Sequence, residues 1–243
     1  MARIDDLLIA AIKAAGVKPP DSAPQGQKNP WANAISANLA RAIAQELRER
    51  GMAGARPGLP GELGLSGAER RLAGGIGAKK VDVTWATEES GLLLACSVKT
   101  IFFRDAKGHF QKNLTNRRGD LLFESTTLHR RFPYAVVAGF LFLDAAAATD
   151  GTTKRNSTFE NVFPRFRLFT RRDDPAGREE QFERLYVLLV DPNQFAPAVT
   201  GYEVNNPHAT VPLADAFDEL VDLTAERNFD MYEAVGDGTI RRA

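Results

Sequence analysis

The chain has 243 residues, 31 basic and 31 acidic side chains, 44% hydrophobic content and one cysteine. That length suits one large domain with a sizeable core, and Cys96 alone excludes an intrachain disulfide or a multi-cysteine zinc site. The start carries Asp5 and Asp6 where a secretory leader would be basic, and no apolar run approaches the roughly 18 residues of a membrane span. A cytoplasmic protein without a membrane segment is expected.

Ile4 to Ala15 has helical spacing, with Ile4, Leu7, Leu8, Ala11 and Ile12 on one face. Lys18 to Pro30 holds four prolines and reads as an extended arm, so residues 1–30 divide from an α/β domain over 31–243. A helix is expected from about Asn33 to Arg50, its stripe made by Ile35, Leu39, Ala42, Ile43 and Leu47. Met52 to Gly77 is rich in glycine and proline and should be irregular, with a short helix near Ser66 to Leu72.

Lys80 to Trp85 alternates, with Val81, Val83 and Trp85 on one face, which is the period of a strand. After Glu88-Glu89-Ser90-Gly91 a second strand runs from Leu92 to Phe103 and should pair with the first as an antiparallel hairpin. Its faces are Leu93, Ala95, Ser97, Lys99 and Ile101 against Leu94, Cys96 and Val98. A helix from about Asn113 to Arg131 stops before Pro133, and Tyr134 to Leu143 is a near-continuous apolar run, the pattern of a strand covered on both faces. Arg184 to Asp191 repeats that pattern, and Asp215 to Arg227 is an amphipathic helix. The order of elements predicts an α/β fold, helices flanking a central mixed sheet.

The neutral total hides opposed regions. Arg104 to Arg131 has seven bases against three acids, Lys154 to Arg172 six against one, and Leu213 to Ala243 eight acids against three bases. A basic middle fits a polyanion-binding surface. The second basic stretch interleaves Lys154, Arg155, Arg165, Arg167, Arg171 and Arg172 with phenylalanines, which reads either as a DNA-backbone contact or as an edge strand with one wet face.

The hairpin carries the strongest chemistry. Ser97 and Lys99 project to one side of their strand, and Asp82 lies on its neighbour. A carboxylate can hold Mg²⁺, and a lysine can orient or help deprotonate a water and offset phosphate charge, the parts that phosphodiester hydrolysis needs. A plain strand-to-strand ion pair uses the same two residues. Along the next helix Asn113, Asn116, Arg117, Asp120 and Glu124 form one polar stripe, a mixture suited to a phosphate backbone and a metal, with Leu114, Leu121, Phe123, Leu128 and Phe132 covering the other sides.

Residues Gly77 to Val83, Leu93 through Ser97-Val98-Lys99-Thr100, and the helix leading into Arg131-Phe132-Pro133-Tyr134-Ala135-Val136-Val137 together resemble the PD-(D/E)xK nuclease superfamily, restriction-endonuclease-like members especially. The resemblance spans about Asn33 to Leu143. It implies a restriction-endonuclease-like core, a Mg²⁺-dependent endonuclease on double-stranded DNA of the type II restriction class, and Asp82 and Lys99 as the motif acid and lysine. Ser97 stands where the family usually has an acid, as in a branch with a Ser-x-Lys spelling that takes the missing carboxylate from the next helix. Without such an acid, the protein would be a catalytically silent DNA-binding or defence-complex subunit on the same fold.

Chain geometry narrows the search for that acid. Four strand residues after Lys99 carry the chain about 13 Å past it at roughly 3.3 Å each. A helix starting near Asn113 needs about nine residues at roughly 1.5 Å rise to return, reaching about Leu122. Glu124 is expected first, then Asp120, then Glu46 on the earlier helix. Asp82, Lys99, Glu124 and Ser97 are thus the expected catalytic residues, Asp82, Glu124 and Asp120 the metal ligands, and Asn113, Asn116 and Arg117 the DNA contacts. His109, His129 and His208 lack metal-ligand spacing, Cys96 reads as a core residue, and Gly74-Gly75-Ile76-Gly77 precedes a strand and fails the context for nucleotide binding. One site per chain predicts a two-fold homodimer for cutting both strands, with the N-terminal helix and arm as dimer elements.

Overall fold

In the computed structural model, which describes residues 3–243, the chain forms α1 (Arg3–Ala14), α2 (Gln25–Glu49), β1 (Arg70–Ala73), β2 (Ala78–Val81), β3 (Val83–Thr87), β4 (Gly91–Ile101), α3 (Gln111–His129), β5 (Val136–Asp144), α4 (Thr158–Phe166), β6 (Arg184–Asp191), β7 (Ala198–Glu203), β8 (Asn206–Thr210), α5 (Leu213–Arg227), β9 (Tyr232–Ala234) and β10 (Ile240–Arg242). Six strands make one mixed sheet in the order β3-β4-β5-β6-β7-β8. The central steps β4-β5 and β5-β6 are parallel, and the outer ones are antiparallel. This is an α/β architecture with helices on both faces. Among the described residues no helix is long and apolar enough to cross a membrane.

β5 explains why that run is apolar throughout. All nine residues are buried: Val136, Ala138, Phe140 and Phe142 join the layer of α1, α2 and α5, while Val137, Leu141 and Leu143 join the layer of α3 and α4. Both sides of the strand are covered, so neither can be polar. On the first side Ile4, Leu8, Ala11 and Ile12 of α1 pack into the same core as α2. The apolar face offered above as a dimer element is therefore used internally.

Several expected boundaries move. α2 starts eight residues before Asn33, with Pro24 as its N-cap and Pro30 inside the helix. Proline there forfeits one backbone bond near the start, and burial of Trp31, Ile35 and Leu39, worth roughly 1.5–3 kcal/mol each, outweighs it. The arm shrinks accordingly. The short helix near Ser66 does not form, and Arg70–Ala73 is instead a strand paired with β2. The stretch around Arg165 is helical and not an edge strand: Ser157 and Glu160 form a capping box that starts α4. Of its bases, Arg155 bonds Gln111 at 2.7 Å, Arg172 is buried on Glu183, and Arg171 pairs with Glu203 at 2.6 Å.

α3 has a narrow apolar seam, Leu114, Leu121 and Leu128, while Phe123 is 48% exposed, not packed as expected. Polar clamps complete its docking. Ser125 Oγ donates to the Glu180 carbonyl at 2.9 Å, and His129 Nε2 lies 3.1 Å from Glu183 Oε2. Glu183 is wholly buried and also accepts from Val137 N–H at 2.6 Å, Arg172 Nη1 at 3.0 Å and Arg227 Nη1 at 2.5 Å. One carboxylate thereby joins α3, β5, the 172 loop and α5.

Burial pushes the Glu183 carboxyl up, but bonding and charge from His129, the charge of Arg227 and the Val137 N–H outweigh it, so it lies below the ordinary 4.5. A depressed folded value means stability that is complete above the unfolded value and is lost as pH falls from there through the folded one. Glu183→Gln should flatten the acid limb of a urea-denaturation stability profile below about pH 5, and Glu183→Ala should cost about 3–5 kcal/mol at pH 7.

Candidate active site

The expected single strand from Lys80 to Trp85 is broken at Asp82. β2 pairs with β1 and β3 with β4, and Asp82 lies between them in neither. Val81 faces the α3 layer, whereas Val83 and Trp85 face the α2 layer. Pairing of β3 with β4 ends at Val83 opposite Cys96, leaving β4 beyond it without a backbone partner on that side. The Asp82 carboxylate fills in: Oδ2 accepts from Val98 N–H at 2.7 Å and from Lys99 Nζ at 2.9 Å. A second irregularity, at Trp85/Ala86, displaces Leu93, which joins the α2 side and not the face of Lys99.

Lys99 shares its face with Ala95 and Ile101, the side covered by α3. From that helix Glu124, 1% exposed, brings Oε2 to 3.2 Å from Lys99 Nζ. Lys79 Nζ of β2 reaches the same oxygen at 3.5 Å. Asp82, Lys99 and Glu124 thus converge, and a second lysine joins them. Burial drives the Lys99 ammonium toward losing its proton, but the charges of Glu124 and Asp82 outweigh it and hold its pKa above the usual range. Burial, with Asp82 assisting, raises the Glu124 carboxyl against the opposing pull of Lys99 and Lys79.

Both Glu124 oxygens are buried and receive no well-aligned hydrogen bond, although two ammoniums lie in ion-pair range. A hard cation could use these lone pairs only by displacing the ammoniums beside them. Asp82 adds a second carboxylate from another element. This all-oxygen set suits Mg²⁺, which keeps several waters and needs few protein ligands. Among the described residues no group of three or more His, Cys, Asp or Glu gathers to hold a metal.

Asp82, Lys99 and Lys79 line a cleft of about 320 Å³ whose walls include Ser36, Thr100, Arg117 and Asp120, and Glu124 lies buried behind them. Arg117 and Thr100 also line an adjoining trough of about 500 Å³ between the first half of α2 and the start of α3. Cleft and trough therefore share a wall. The trough presents Lys28, Arg104, Lys112 and Arg117 against the single acid Asp105, with Asn29, Asn33 and Asn113 between them.

The other expected residues separate. Asp120 is exposed at the cleft wall and is held by Arg117 Nη1 at 3.2 Å. Asn113 and Arg117 line the trough, but Asn116 is exposed and lines neither space. Glu46 is far from any such role: it is buried between Arg3 at 2.8 Å and Arg50 at 2.6 Å. Ser97 neighbours Lys99 on the strand but is 1% exposed, does not line the cleft, and its Oγ has no hydrogen-bond partner. Cys96 is buried on the opposite side, where desolvation pushes its thiol far up and keeps it inert. Lys79 escaped the sequence reading. Parity with Val81 would have placed it on the α3 side, had the break at Asp82 been recognised.

No protein family, curated protein or solved structure matches this chain.

A buried hydroxyl without a partner costs about 1–3 kcal/mol. Ser97→Ala should therefore leave stability in urea equal to the parent's or raise it by about 1 kcal/mol. A clear loss would mean that the hydroxyl has a partner the fold does not reveal.

Proposed function

We propose that the protein is a Mg²⁺-dependent endonuclease on double-stranded DNA, of the type II restriction class, with a restriction-endonuclease-like core of the PD-(D/E)xK superfamily. The observation that carries this reading is the meeting of Asp82, Lys99 and Glu124 at a cleft that Asp82 and Lys99 line and that shares Thr100 and Arg117 with a basic trough. Asp82 answers to the motif acid, Lys99 to the motif lysine, and Glu124 to the carboxylate missing at Ser97. The trough supports a polyanionic substrate, because Lys28, Arg104 and Lys112 can follow a phosphate backbone up to the cleft.

Asp82 and Glu124 would hold Mg²⁺, which supplies Lewis acidity toward phosphate and water. Lys99, with its proton held by the two carboxylates, orients the attacking water and offsets charge on the phosphate. It is no general base while it stays charged. The water oxygen bonds to phosphorus, the bond from phosphorus to the departing sugar oxygen breaks, and that oxygen gains the proton which the water gives up through solvent. Arg117, steadied by Asp120, stands where the adjoining phosphate of the strand would pass. A two-fold dimer, each chain cutting one strand, is the simplest assembly for a double-strand break.

Purified protein should nick plasmid DNA with Mg²⁺. Asp82→Ala and Lys99→Ala should lower the rate by more than about 100-fold while remaining folded, and Glu124→Gln should abolish cutting with duplex binding still measurable. Duplex binding without any cut in Mg²⁺ or Mn²⁺ on a broad panel would favour the silent DNA-binding subunit. Mg²⁺ at about 100 times its Kd should raise the Tm of the parent by several degrees, since ligand binding then adds about 2.7 kcal/mol, but not that of Glu124→Gln. Light scattering should find a dimer on DNA; a monomer both free and bound would remove the two-fold assembly.

A further inference from the structure

We propose that Lys79 is a second phosphate-contacting cation of this site, parked on Glu124 until Mg²⁺ occupies that carboxylate. The inference rests on the nuclease reading and assigns a residue that the reading does not need. Lys79 Nζ and Lys99 Nζ share one oxygen, Glu124 Oε2, at 3.5 and 3.2 Å. The two lysines are held unequally. Lys99 is 12% exposed and also bonds Asp82 at 2.9 Å, whereas Lys79 is 25% exposed and, among the described residues, has only Glu124 as a carboxylate in ion-pair range. Its side chain lines the cleft, and its ammonium lies 5.7 Å from the centroid of the half-exposed Phe123 ring.

Charge balance gives the second lysine its part. Without metal, Asp82 and Glu124 carry two negative charges and Lys79 and Lys99 two positive ones. Mg²⁺ raises the sum to plus two, a phosphodiester lowers it to plus one, and the extra negative charge of the phosphorane-like transition state brings it to zero. Removing Lys79 leaves that state one charge short of neutral in a partly buried site, where such deficits are felt most. A purely structural duty is already met by other contacts: Gly75 N–H donates to the Thr127 carbonyl at 2.8 Å, and Gly74 packs too closely on Thr127 to accept a Cβ. Those contacts pin the β1-β2 ribbon to α3 without help from Lys79.

The test uses the full chain as parent, Lys79→Met and Lys79→Arg. Calorimetric titration with Mg²⁺ alone should give about 3- to 10-fold tighter binding to Lys79→Met, because the metal no longer displaces an ammonium from Glu124. Single-turnover cleavage by the same variant should be about 100- to 1000-fold slower, with duplex affinity in EDTA changed less than about threefold. Lys79→Arg should recover the rate to within about tenfold. Unchanged or weaker Mg²⁺ binding, or cleavage by Lys79→Met within threefold of the parent, overturns the assignment. A parent that binds Mg²⁺ but cuts nothing removes the nuclease reading and the phosphate role together, whereas a cutting parent with an unaffected Lys79→Met removes only the role of Lys79.

Discussion

The arrangement depends first on one buried carboxylate, Glu183. Immediately before β6, it accepts from the backbone of β5, from Arg172, from Arg227 at the end of α5 and from His129 at the end of α3. Isolated, that charge would be prohibitive in the interior; surrounded by these donors, it fixes how four pieces of chain meet. α3 needs this most. Three leucines at intervals of seven make a seam too thin to set the rotation of the helix, and the contacts of Ser125 and His129 set it instead. Glu124, next to Ser125, is thereby turned into the interior and not toward solvent.

Lys99 is the counterpart of Glu183 with the signs reversed. One ammonium answers two carboxylates that arrive from a strand break and from a helix. The raised Glu124 carboxyl records that the answer is incomplete, since burial costs more than Lys99 and Lys79 return. Such tension is the usual mark of a group retained for something other than stability. At Ser97, buried and without a hydrogen-bond partner among the described residues, an acid would have been an unpaired interior charge.

Much of this was readable in advance where burial leaves a simple imprint. β5 and β6 announce themselves because both faces are covered, and the β3-β4 hairpin by its turn. Glu124 follows from the acid the resemblance asks for, the polar stripe of the helix and rise per residue taken together, because a helix following a strand has to return along it. The break at Asp82 was not readable, since Val81, Val83 and Trp85 keep perfect alternation while the backbone changes layers; a side chain takes over a ladder bond there, which composition does not record. Around Arg165, alternating arginine and phenylalanine imitated a strand, although Ser157 and Glu160 already spelled a helix start. Glu46 looked like a spare acid because its partners Arg3 and Arg50 become neighbours only through long-range packing and a helical turn.

Placing the third charged residue on α3 instead of on β4 ties the site to the docking of that helix. The β3-β4 hairpin and the Asp82–Lys99 pair are local in sequence. Glu124 reaches them only when α3 has docked, and α3 docks against a loop more than fifty residues further on. The three groups can therefore meet only with α3 in place.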